Sequence, residues 1–599
     1  MSRPRIARAL ALLFVVVTSA LAGGRSNASE DAPRRVEPWP DEVVDLASRI
    51  PVQDQGRIKP LSSFAAFELL RIHGKRTLRM PDPEDPEEEI KLSPMEWMLD
   101  VLFYPEMARS YPLFRVEDRD GLKAVGLDTG EKRKRDVWSY DELFAVGKDL
   151  VEKGDKWSKI PQKDQTPLES QVVILADNWY GFHLLITRWD RLNLFPSAAS
   201  DTSVRGWLSA PALSTLIAEG EASGLDEQRA QLEGIATLFD KRVEGMEVFA
   251  GAFEKWRNGV VSLSADTDET AKIDLEIAYY RADFFYRAQV LFILGFLVSI
   301  VSFLKRSGAG VVPTKLSRLH HVTRWMGIIP LLILIAGIVV RCVLRDRPPV
   351  STLYETILFI TAVAVLAALV TERINRQPIT LLLAMALGSV GMFFAGWYEE
   401  ISAADTMPKL QAVLDTNFWL STHVTTVSMG YSAGILAAAV AHVYIIGKLL
   451  GLKRNDPRFY RNIGRMVYGI VCFGLVFSTV GTILGGVWAN DSWGRFWGWD
   501  PKENGALMIV LVNLIILHAR MGGYIRDWGL SLAAIFLGTV VAFSWFHVNL
   551  LAVGLHAYGF DARLSTLVWS YYSIEWGVLG LGILGYFIDR SRPNTPAAA

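Results

Sequence analysis

The sequence is poor in cysteine and carries almost no excess of charge. Its 599 residues include only two cysteines, Cys342 and Cys472, and no C-x-x-C motif. This excludes a thioredoxin-like redox pair and a zinc site built from thiolates. The formal net charge is −1, and no basic stripe with interleaved aromatic residues occurs, so we expect no nucleic-acid partner. The sequence also offers none of the usual pairings of a nucleophile with a base.

Long apolar runs are abundant, and they are confined to one half of the chain. Residues 30–280 are polar and rich in charge, whereas 284–588 contain repeated runs long enough to cross a bilayer. We predict an all-α polytopic membrane protein in which 29–283 form a mostly helical extracytoplasmic domain and 284–590 span the membrane. The nine predicted spans are 284–304, 325–343, 351–371, 379–397, 419–447, 464–488, 504–519, 528–549 and 567–587.

The N-terminus has the layout of a secretory signal. In "MSRPRIARALALLFVVVTSALAGG", arginines precede an apolar core that is followed by small residues. We therefore interpret residues 1–28 as a signal peptide or an N-terminal anchor. Both alternatives predict that the segment after it is exported.

The distribution of lysine and arginine predicts the same orientation. The loop "KRSGAGVVPTKLSRLHHVTR" after the first span is strongly basic, which predicts a cytoplasmic position. Alternating spans then place residues 29–283, the loop 488–503 and the loop around His556 on the outer side. The segment "RCVLRDRPP" breaks the charge rule, because it is basic and predicted outside. Its arginines are a candidate anion-binding rim, namely Arg341, Arg345 and Arg347.

One outer loop is unusually rich in tryptophan. The stretch "WGRFWGWDPKE", residues 493–503, has three tryptophans and a phenylalanine within seven positions. Isolated tryptophans beside a span are typical of the membrane-interface belt. Three of them separated by glycines favour a flat platform, since glycine lets the backbone approach a ligand and indole faces stack on other π-systems. The candidate residues of this platform are Trp493, Gly494, Arg495, Phe496, Trp497, Gly498 and Trp499.

Asp500 has a local structural interpretation beside the functional one. "DPKE" is a capping-box pattern, with Asp500 at the N-cap, Pro501 first in the helix and Glu503 three residues after the cap. We therefore predict that Asp500 begins the seventh span and thereby fixes the end of the loop.

Histidines in or beside spans are candidate site residues, because their burial in lipid is costly without a partner. His423 and His556 share the predicted outer side with the tryptophan-rich loop and could supply two axial nitrogens to haem iron. Each alone is more typical of a hydrogen-bonded interfacial histidine. His518 lies near the cytoplasmic end of the seventh span. His320 and His321 flank a basic loop, and we predict that both are solvated.

These motifs resemble the CcsA/ResC family of System II cytochrome c biogenesis over about residues 320–590. The resemblance rests on "WGRFWGWDPKE", "LHAR", the upstream "WLSTHV", the downstream "GLHAYG" and "PPVSTLYET". It implies that 488–503 form the WWD domain that holds the porphyrin, with Asp500 in the motif. It also implies that His423 and His556 ligate haem b at the outer site and that His518 binds haem within the membrane.

The resemblance further implies a function and partners. Haem would be the cargo, presented at the outer face of the bacterial inner (cytoplasmic) membrane for thioether formation with the C-x-x-C-H motif of apocytochrome c. The chain would then be a component of a holocytochrome c synthase, with a ResB/CcsB-like partner, a separate thiol reductant protein and membrane lipid around it. Two alternatives remain open: a haem exporter of the CcmC/CcmF type, and a polytopic scaffold without haem. The candidate cations for the haem propionates are Arg341, Arg345, Arg347, Arg495 and Lys502.

Overall fold

The fold was analysed in a computed structural model. It describes residue 35 and residues 37–81, 87–116, 119–127, 137–197, 206–264, 268–308, 318–410, 418–453, 456–551, 553–554 and 562–591. The predicted leader, residues 1–28, lies outside the described residues. The described chain forms two compact units. The first runs up to Ala282 and also contains Ser402–Lys409, and the second contains Asp283–Ile401 and the residues from Leu410 onward.

The first unit is mostly helical, as predicted. Several of its helices begin at the S/T-x-x-E capping box that the sequence carries, as at Ser93 and Thr166, each with proline at the first helical position. Its helices are α1 (Asp41–Ser48), α2 (Leu61–His73), α3 (Pro94–Phe103), α4 (Pro105–Ala108), α5 (Arg119–Ala124), α6 (Tyr140–Phe144), α7 (Gly147–Ser158), α8 (Pro167–Arg188), α9 (Ala210–Glu219), α10 (Asp226–Lys241), α11 (Met246–Leu263) and α12 (Ile273–Ala282). Short 3₁₀ turns occupy Gln162–Asp164 and Thr270–Lys272.

Three small antiparallel sheets accompany these helices, and the sequence did not predict them. The largest has the strand order β2-β1-β7-β8, and the other two pair β3 with β4 and β5 with β6. The strands are β1 (Pro51–Asp54), β2 (Arg57–Pro60), β3 (Leu78–Pro81), β4 (Glu89–Leu92), β5 (Phe114–Arg115), β6 (Val137–Trp138), β7 (Asn193–Phe195) and β8 (Leu208–Ser209). The β1–β2 hairpin turns at Gln55 and Gly56, both of which have positive φ, as a tight two-residue turn requires.

This hairpin carries two basic side chains into the interior of the first unit. Arg57 is 2% exposed and Lys59 is 1% exposed. Arg57 pairs with Glu276 at 2.6 Å and with Asp405 at 2.9 Å, and Lys59 pairs with Asp405 at 2.8 Å and with Asp54 at 2.6 Å. Burial alone would raise the pKa of Asp405, but the charges of Arg57 and Lys59 hold it well below its usual range. The network therefore fixes residues 402–409, which follow the fourth membrane span in the chain, within the first unit.

The second unit is a helical bundle. The prediction of nine spans is confirmed, because nine helices in the described residues are long and apolar enough to cross a membrane. Its helices are α13 (Phe284–Gly308), α14 (Arg318–Arg345), α15 (Leu353–Asn375), α16 (Pro378–Ser402), α17 (Phe418–Leu449), α18 (Pro457–Trp493), α19 (Pro501–Met521), α20 (Asp527–Ala542), α21 (Val548–Leu550) and α22 (Ala562–Ser591). A π-helical turn, Phe543–His547, joins α20 to α21.

Helices α17 and α18 approach closely, and glycines make the approach possible. A Cβ on Gly481 of α18 would lie 2.7 Å from the backbone of Val427 on α17. A Cβ on Gly430 of α17 would lie 2.3 Å from the hydroxyl of Ser478 on α18. Small residues allow such backbone proximity between membrane helices. The two helices therefore pack closely against each other in the bundle.

The prediction that His320 is solvated is wrong. Helix α14 begins at Arg318, earlier than the predicted span at 325, and its first turn is packed against α15. His320 is 0% exposed, and its Nε2 lies 2.8 Å from Glu372 Oε1. Arg324 pairs with the same carboxylate at 2.9 Å. His321, by contrast, is exposed as predicted.

Candidate functional site

The tryptophan-rich segment is partly helical. Helix α18 continues to Trp493 and ends where Gly494 adopts a left-handed conformation, with φ 69° and its N–H donating to Asn490. The predicted loop 488–503 is therefore wrong in its first part, and only 494–500 are non-helical. The reason is local: no glycine or proline follows Gly486 until Gly494. Trp488 and Trp493 consequently lie on the last turns of α18, with ring centroids 4.6 Å apart at 66°.

The other end of the segment is fixed by the predicted cap. The interpretation of Asp500 as an N-cap is confirmed: its Oδ1 accepts the backbone N–H of Lys502 at 2.9 Å, and Pro501 begins α19. Glu503 Oε2 accepts the N–H of Asp500 at 3.1 Å and also that of Gly498 at 2.8 Å. The capping carboxylate thus holds the loop as well as the helix.

A cavity lies between the loop and the helices of the second unit. Its volume is about 170 Å³. Its aromatic lining consists of Tyr431, Trp488, Trp493, Phe496, Trp497 and Trp545. Its polar lining includes Ser351, Thr352, Thr356, His423, Ser428, Thr482, Lys502, Glu503 and Asn549. A cleft lined by aromatic and aliphatic side chains, with some polar groups, is the usual form of a cofactor or small-molecule site.

His423 is held in this cavity in a defined orientation. Its Nδ1 lies 2.7 Å from the carbonyl oxygen of Gly481. Since a carbonyl can only accept, Nδ1 carries a hydrogen, and in the neutral ring Nε2 is then the nitrogen that can bind a metal. Gly485 provides the space for the ring, because a Cβ there would lie 2.6 Å from His423 Cε1. Fixing one ring nitrogen to a carbonyl is how proteins orient a histidine for metal ligation.

The other platform residues have different positions. Phe496 lines the cavity and packs on Gly486, where a Cβ would lie 2.5 Å from its ring. Trp497 lines the cavity, whereas Trp499 is 70% exposed, with its ring centroid 6.1 Å from that of Trp497. Gly498 accommodates the guanidinium of Arg495, since a Cβ on Gly498 would overlap it.

Two buried polar atoms at the cavity have no hydrogen-bond partner within the described residues. They are Trp488 Nε1, in a side chain that is 3% exposed, and Asn549 Oδ1, in a side chain that is 2% exposed. Buried polar groups without a partner are rare in folded proteins. Both residues line the cavity, so a polar ligand there could satisfy them.

The candidate cations differ in whether they line the cavity. Among the described residues that line the cavity, Lys502 is the one cation, and its Nζ lies 3.0 Å from the carbonyl oxygen of Trp545. Arg341 and Arg347 are buried and both bind Glu355 at 3.0 Å. Arg345 is the last residue of α14.

The remaining candidate histidines are not brought to the described cavity. His518 is exposed near the C-terminus of α19, and its Nδ1 bonds to the carbonyl of Leu514 at 2.8 Å. Sixteen residues of helix separate it from Lys502, which is about 24 Å at 1.5 Å per residue. His556 lies outside the described residues. Nearby, Gly554 packs on the N-cap, since a Cβ there would lie 2.1 Å from Asp500 Oδ2.

A profile of one protein family matches this part of the chain. Its description is "Cytochrome C assembly protein", and it covers residues 350–556, which include His423, the aromatic segment and the cap of α19. The matched residues lie in the second unit of the chain, which is therefore similar to this family. The predicted resemblance to CcsA-type proteins is thereby confirmed.

Curated relatives agree with the family. Protein NrfI of Wolinella succinogenes is 24% identical over 517 residues, 84% of this chain and 53% of that protein. Cytochrome c biogenesis protein CcsA of Chlamydomonas reinhardtii is 33% identical over 242 residues, 38% of this chain and 66% of that protein. CcsA of Synechococcus sp. (strain CC9902) is 29% identical over 268 residues, 40% of this chain and 86% of that protein. The chain thus spans about half the length of NrfI.

Among solved structures, Cytochrome c Heme Lyase CcmF is similar with a TM-score of 0.36 and 16% identity, over 52% of this chain and 51% of that one. A likeness of this degree carries no argument about the site.

Proposed function

We propose that this protein binds haem b as cargo in the cavity of its second unit and presents it for covalent attachment to apocytochrome c. The observation that carries the proposal is the orientation of His423 in this cavity. Its Nδ1 is bonded to Gly481 within a cavity lined by tryptophan and phenylalanine rings. An oriented imidazole next to flat aromatic walls suits a flat ligand with a metal at its centre.

The residues present suit haem in three respects. The hydrogen bond from Nδ1 of His423 to Gly481 favours the tautomer that binds iron through Nε2. The rings of Trp488, Trp493, Phe496 and Trp497 offer faces and edges for the porphyrin. The unpartnered N–H of Trp488 would gain an acceptor from a ligand. His556 as the second axial ligand remains a prediction.

The chemistry requires positioning more than acid–base catalysis. In thioether formation a cysteine S–H adds across a haem vinyl group. The sulfur bonds to one vinyl carbon, the hydrogen goes to the other, and nothing leaves. The cavity would hold the vinyl groups near the incoming thiols, which is a proximity effect. The reaction needs reduced cysteines, and the chain has no C-x-x-C pair of its own, so we propose a separate thiol reductant protein.

A second membrane component belongs to the proposal. The resemblance to the CcsA/ResC family implies a ResB/CcsB-like protein as this component, and we keep it as the proposed partner. His518 is exposed on α19, and as a haem ligand within the membrane it would need the other axial group from such a partner. We propose that the cavity opens to the outer side of the bacterial inner membrane, as the charge distribution predicts.

Co-expression with an apocytochrome c tests this function. We expect the purified chain to carry haem with a Soret band. We expect covalent haem on the apocytochrome when a ResB-like protein is also present. A matched apocytochrome in which both cysteines of its C-x-x-C-H motif are serine controls for non-covalent haem. Haem binding without covalent attachment in any combination would leave a haem exporter as the function, and a purified chain without a Soret band would contradict haem binding altogether.

A further inference from the structure

We infer that Lys502 is the anion anchor of the cavity and binds a carboxylate of the ligand, with Trp488 Nε1–H as a second donor in the same cavity. For haem the carboxylate is a propionate, and in this respect the inference rests on the proposed function. It also selects one of the five candidate cations that the sequence suggested.

The ammonium of Lys502 can donate more hydrogen bonds than the one it makes to Trp545. Its Nζ is 3.0 Å from the carbonyl oxygen of Trp545, and an ammonium has three hydrogens to donate. The side-chain amide nitrogen of Asn549 lies 2.9 Å from the same oxygen. The carbonyl therefore holds the lysine head at the cavity without neutralising its charge.

The backbone that presents this carbonyl is irregular. Trp545 is part of the π-helical turn Phe543–His547, and its indole N–H donates to Thr356 at 2.9 Å. Such turns inside helices are frequent at functional sites. Here the indole bond to α15 fixes the turn, so the carbonyl and the lysine it holds are positioned by two helices.

The charges around the cavity leave a place for an anion. Glu503 is the carboxylate of the described lining, and its Oε2 accepts the N–H groups of Gly498 and Asp500. The Glu503 carboxylate is therefore engaged with backbone N–H groups of the loop. The carboxylate of Asp500 also acts on the Lys502 ammonium, but its Oδ1 is engaged in capping α19. A ligand carboxylate would therefore add a second anionic partner to a partly buried ammonium. The side chain of Trp488 adds an independent sign of a ligand, since its Nε1 is buried, lines the cavity and has no hydrogen-bond partner within the described residues.

Three of the four other candidate cations contact other groups, and the fourth, Arg345, is not part of the described cavity lining. Arg341 and Arg347 both bind the buried carboxylate of Glu355. The guanidinium of Arg495 lies over Gly498. These contacts favour Lys502 over the arginines that the sequence places near the outer face.

The test compares haem with its dimethyl ester, in which both propionates are methylated while the ring, vinyl groups and iron are unchanged. Both ligands are titrated into the haem-depleted full-length protein in detergent, followed by the Soret band. We expect the wild type to bind haem at least about tenfold more tightly than the ester, since hydrogen bonds to charged groups are among the stronger ones. Lys502→Met should abolish the preference by weakening haem binding alone, and Lys502→Arg should retain it.

Lys448→Met is the matched control. Lys448 lies in the last turn of α17, with its Nζ 4.5 Å from the ring of Tyr460, and it is not part of the described cavity lining. This variant loses the same charge and should keep the preference. Trp488→Phe, which retains an aromatic ring, should reduce the preference several-fold. The same titration of this variant tests the inference if Lys502→Met does not fold.

Three outcomes overturn the inference. They are equal affinity of the wild type for haem and its ester, a preference that persists in Lys502→Met, and a preference that is lost equally in Lys448→Met. Wild-type protein that binds neither ligand would overturn the proposed function together with the inference, whereas tight but unselective binding would overturn the inference alone.

Discussion

His423 Nδ1 lies 2.7 Å from the carbonyl oxygen of Gly481, one helical turn before the glycine on which the imidazole ring rests. One helix, α18, therefore supplies both the hydrogen bond that selects the tautomer and the gap that receives the ring. The same helix ends in Trp488 and Trp493, which line the cavity. Helix α18 thus positions the ligand nitrogen and part of the aromatic wall together.

Replacing Gly485 with alanine should displace His423 without disturbing the bundle. The added Cβ would lie 2.6 Å from His423 Cε1, so the ring must rotate and lose its bond to Gly481. We expect haem binding weakened by about tenfold or more, which corresponds to about 1.4 kcal/mol, together with a changed Soret band. Gly469→Ala is the control, because a Cβ on that glycine of α18 meets nothing within 4 Å. An unchanged spectrum in Gly485→Ala would contradict the positioning role.

Substitutions of Asp500 should separate its structural role from a ligand role. Asparagine also caps helices, so Asp500→Asn should retain both stability and haem binding. Asp500→Ala should lower the free energy of unfolding by about 1 kcal/mol, the usual cost of a lost N-cap. Thermal unfolding and Soret titration of both variants check this. A loss of haem binding in Asp500→Asn at unchanged stability would indicate that the carboxylate contacts the ligand.

Removing Asp405 should destabilise the first unit strongly. Asp405→Ala leaves Arg57 and Lys59 buried with one carboxylate fewer, and breaking a buried network of this kind costs about 3–5 kcal/mol. Asp274→Ala is the matched control, since Asp274 pairs with Arg49 at an exposed site where its side chain is 73% exposed. Exposed pairs contribute about 0–1 kcal/mol. Thermal unfolding of the full-length chain distinguishes the two, and equal effects would contradict the importance of the buried network.

The same network predicts a pH dependence. The pKa of Asp405 is lower in the folded protein than in the unfolded chain, because Arg57 and Lys59 outweigh the effect of burial. Its stabilising contribution is therefore complete above the unfolded value of about 4 and is lost as the pH falls from there through the folded value. Asp405→Asn should flatten this part of the stability profile. A profile as steep as that of the wild type would show that other carboxylates cause the acid sensitivity.

His518 should affect the supply of haem and not its binding at the cavity. It lies about 24 Å along α19 from Lys502 at 1.5 Å per residue. We expect His518→Ala to bind added haem in detergent with wild-type affinity and spectrum, but to be purified from cells with less haem. A changed spectrum of added haem would indicate that His518 ligates the bound haem directly.

Much of the fold follows from local sequence signals. The nine spans are set by the length and hydropathy of each apolar run, and the cap at Asp500 follows from the D-P-K-E spacing. The end of α18 was mispredicted by five residues, because polar residues after Trp488 obscure a helix that continues to Gly494. Hydropathy marks the apolar part of a helix and not its last turn.

The rest depends on contacts that sequence spacing does not encode. Trp545 and Asn549 line the cavity four residues apart, but neither belongs to a motif that marks a site in the sequence. Asp405 follows a membrane span, and its partners Arg57 and Lys59 are more than 340 residues away in the chain. His320 is buried by Glu372 on the next helix. Each of these requires knowledge of which elements pack together.

The most direct test is the visible spectrum of His423→Gly. We expect the variant to lose the six-coordinate, low-spin Soret band of the wild type and to regain it when imidazole is added, because the small ligand would occupy the space left by the ring. His321→Gly, which removes an exposed histidine, should keep the wild-type spectrum. A His423→Gly spectrum identical to the wild type without imidazole would contradict the assignment of His423 as a haem ligand.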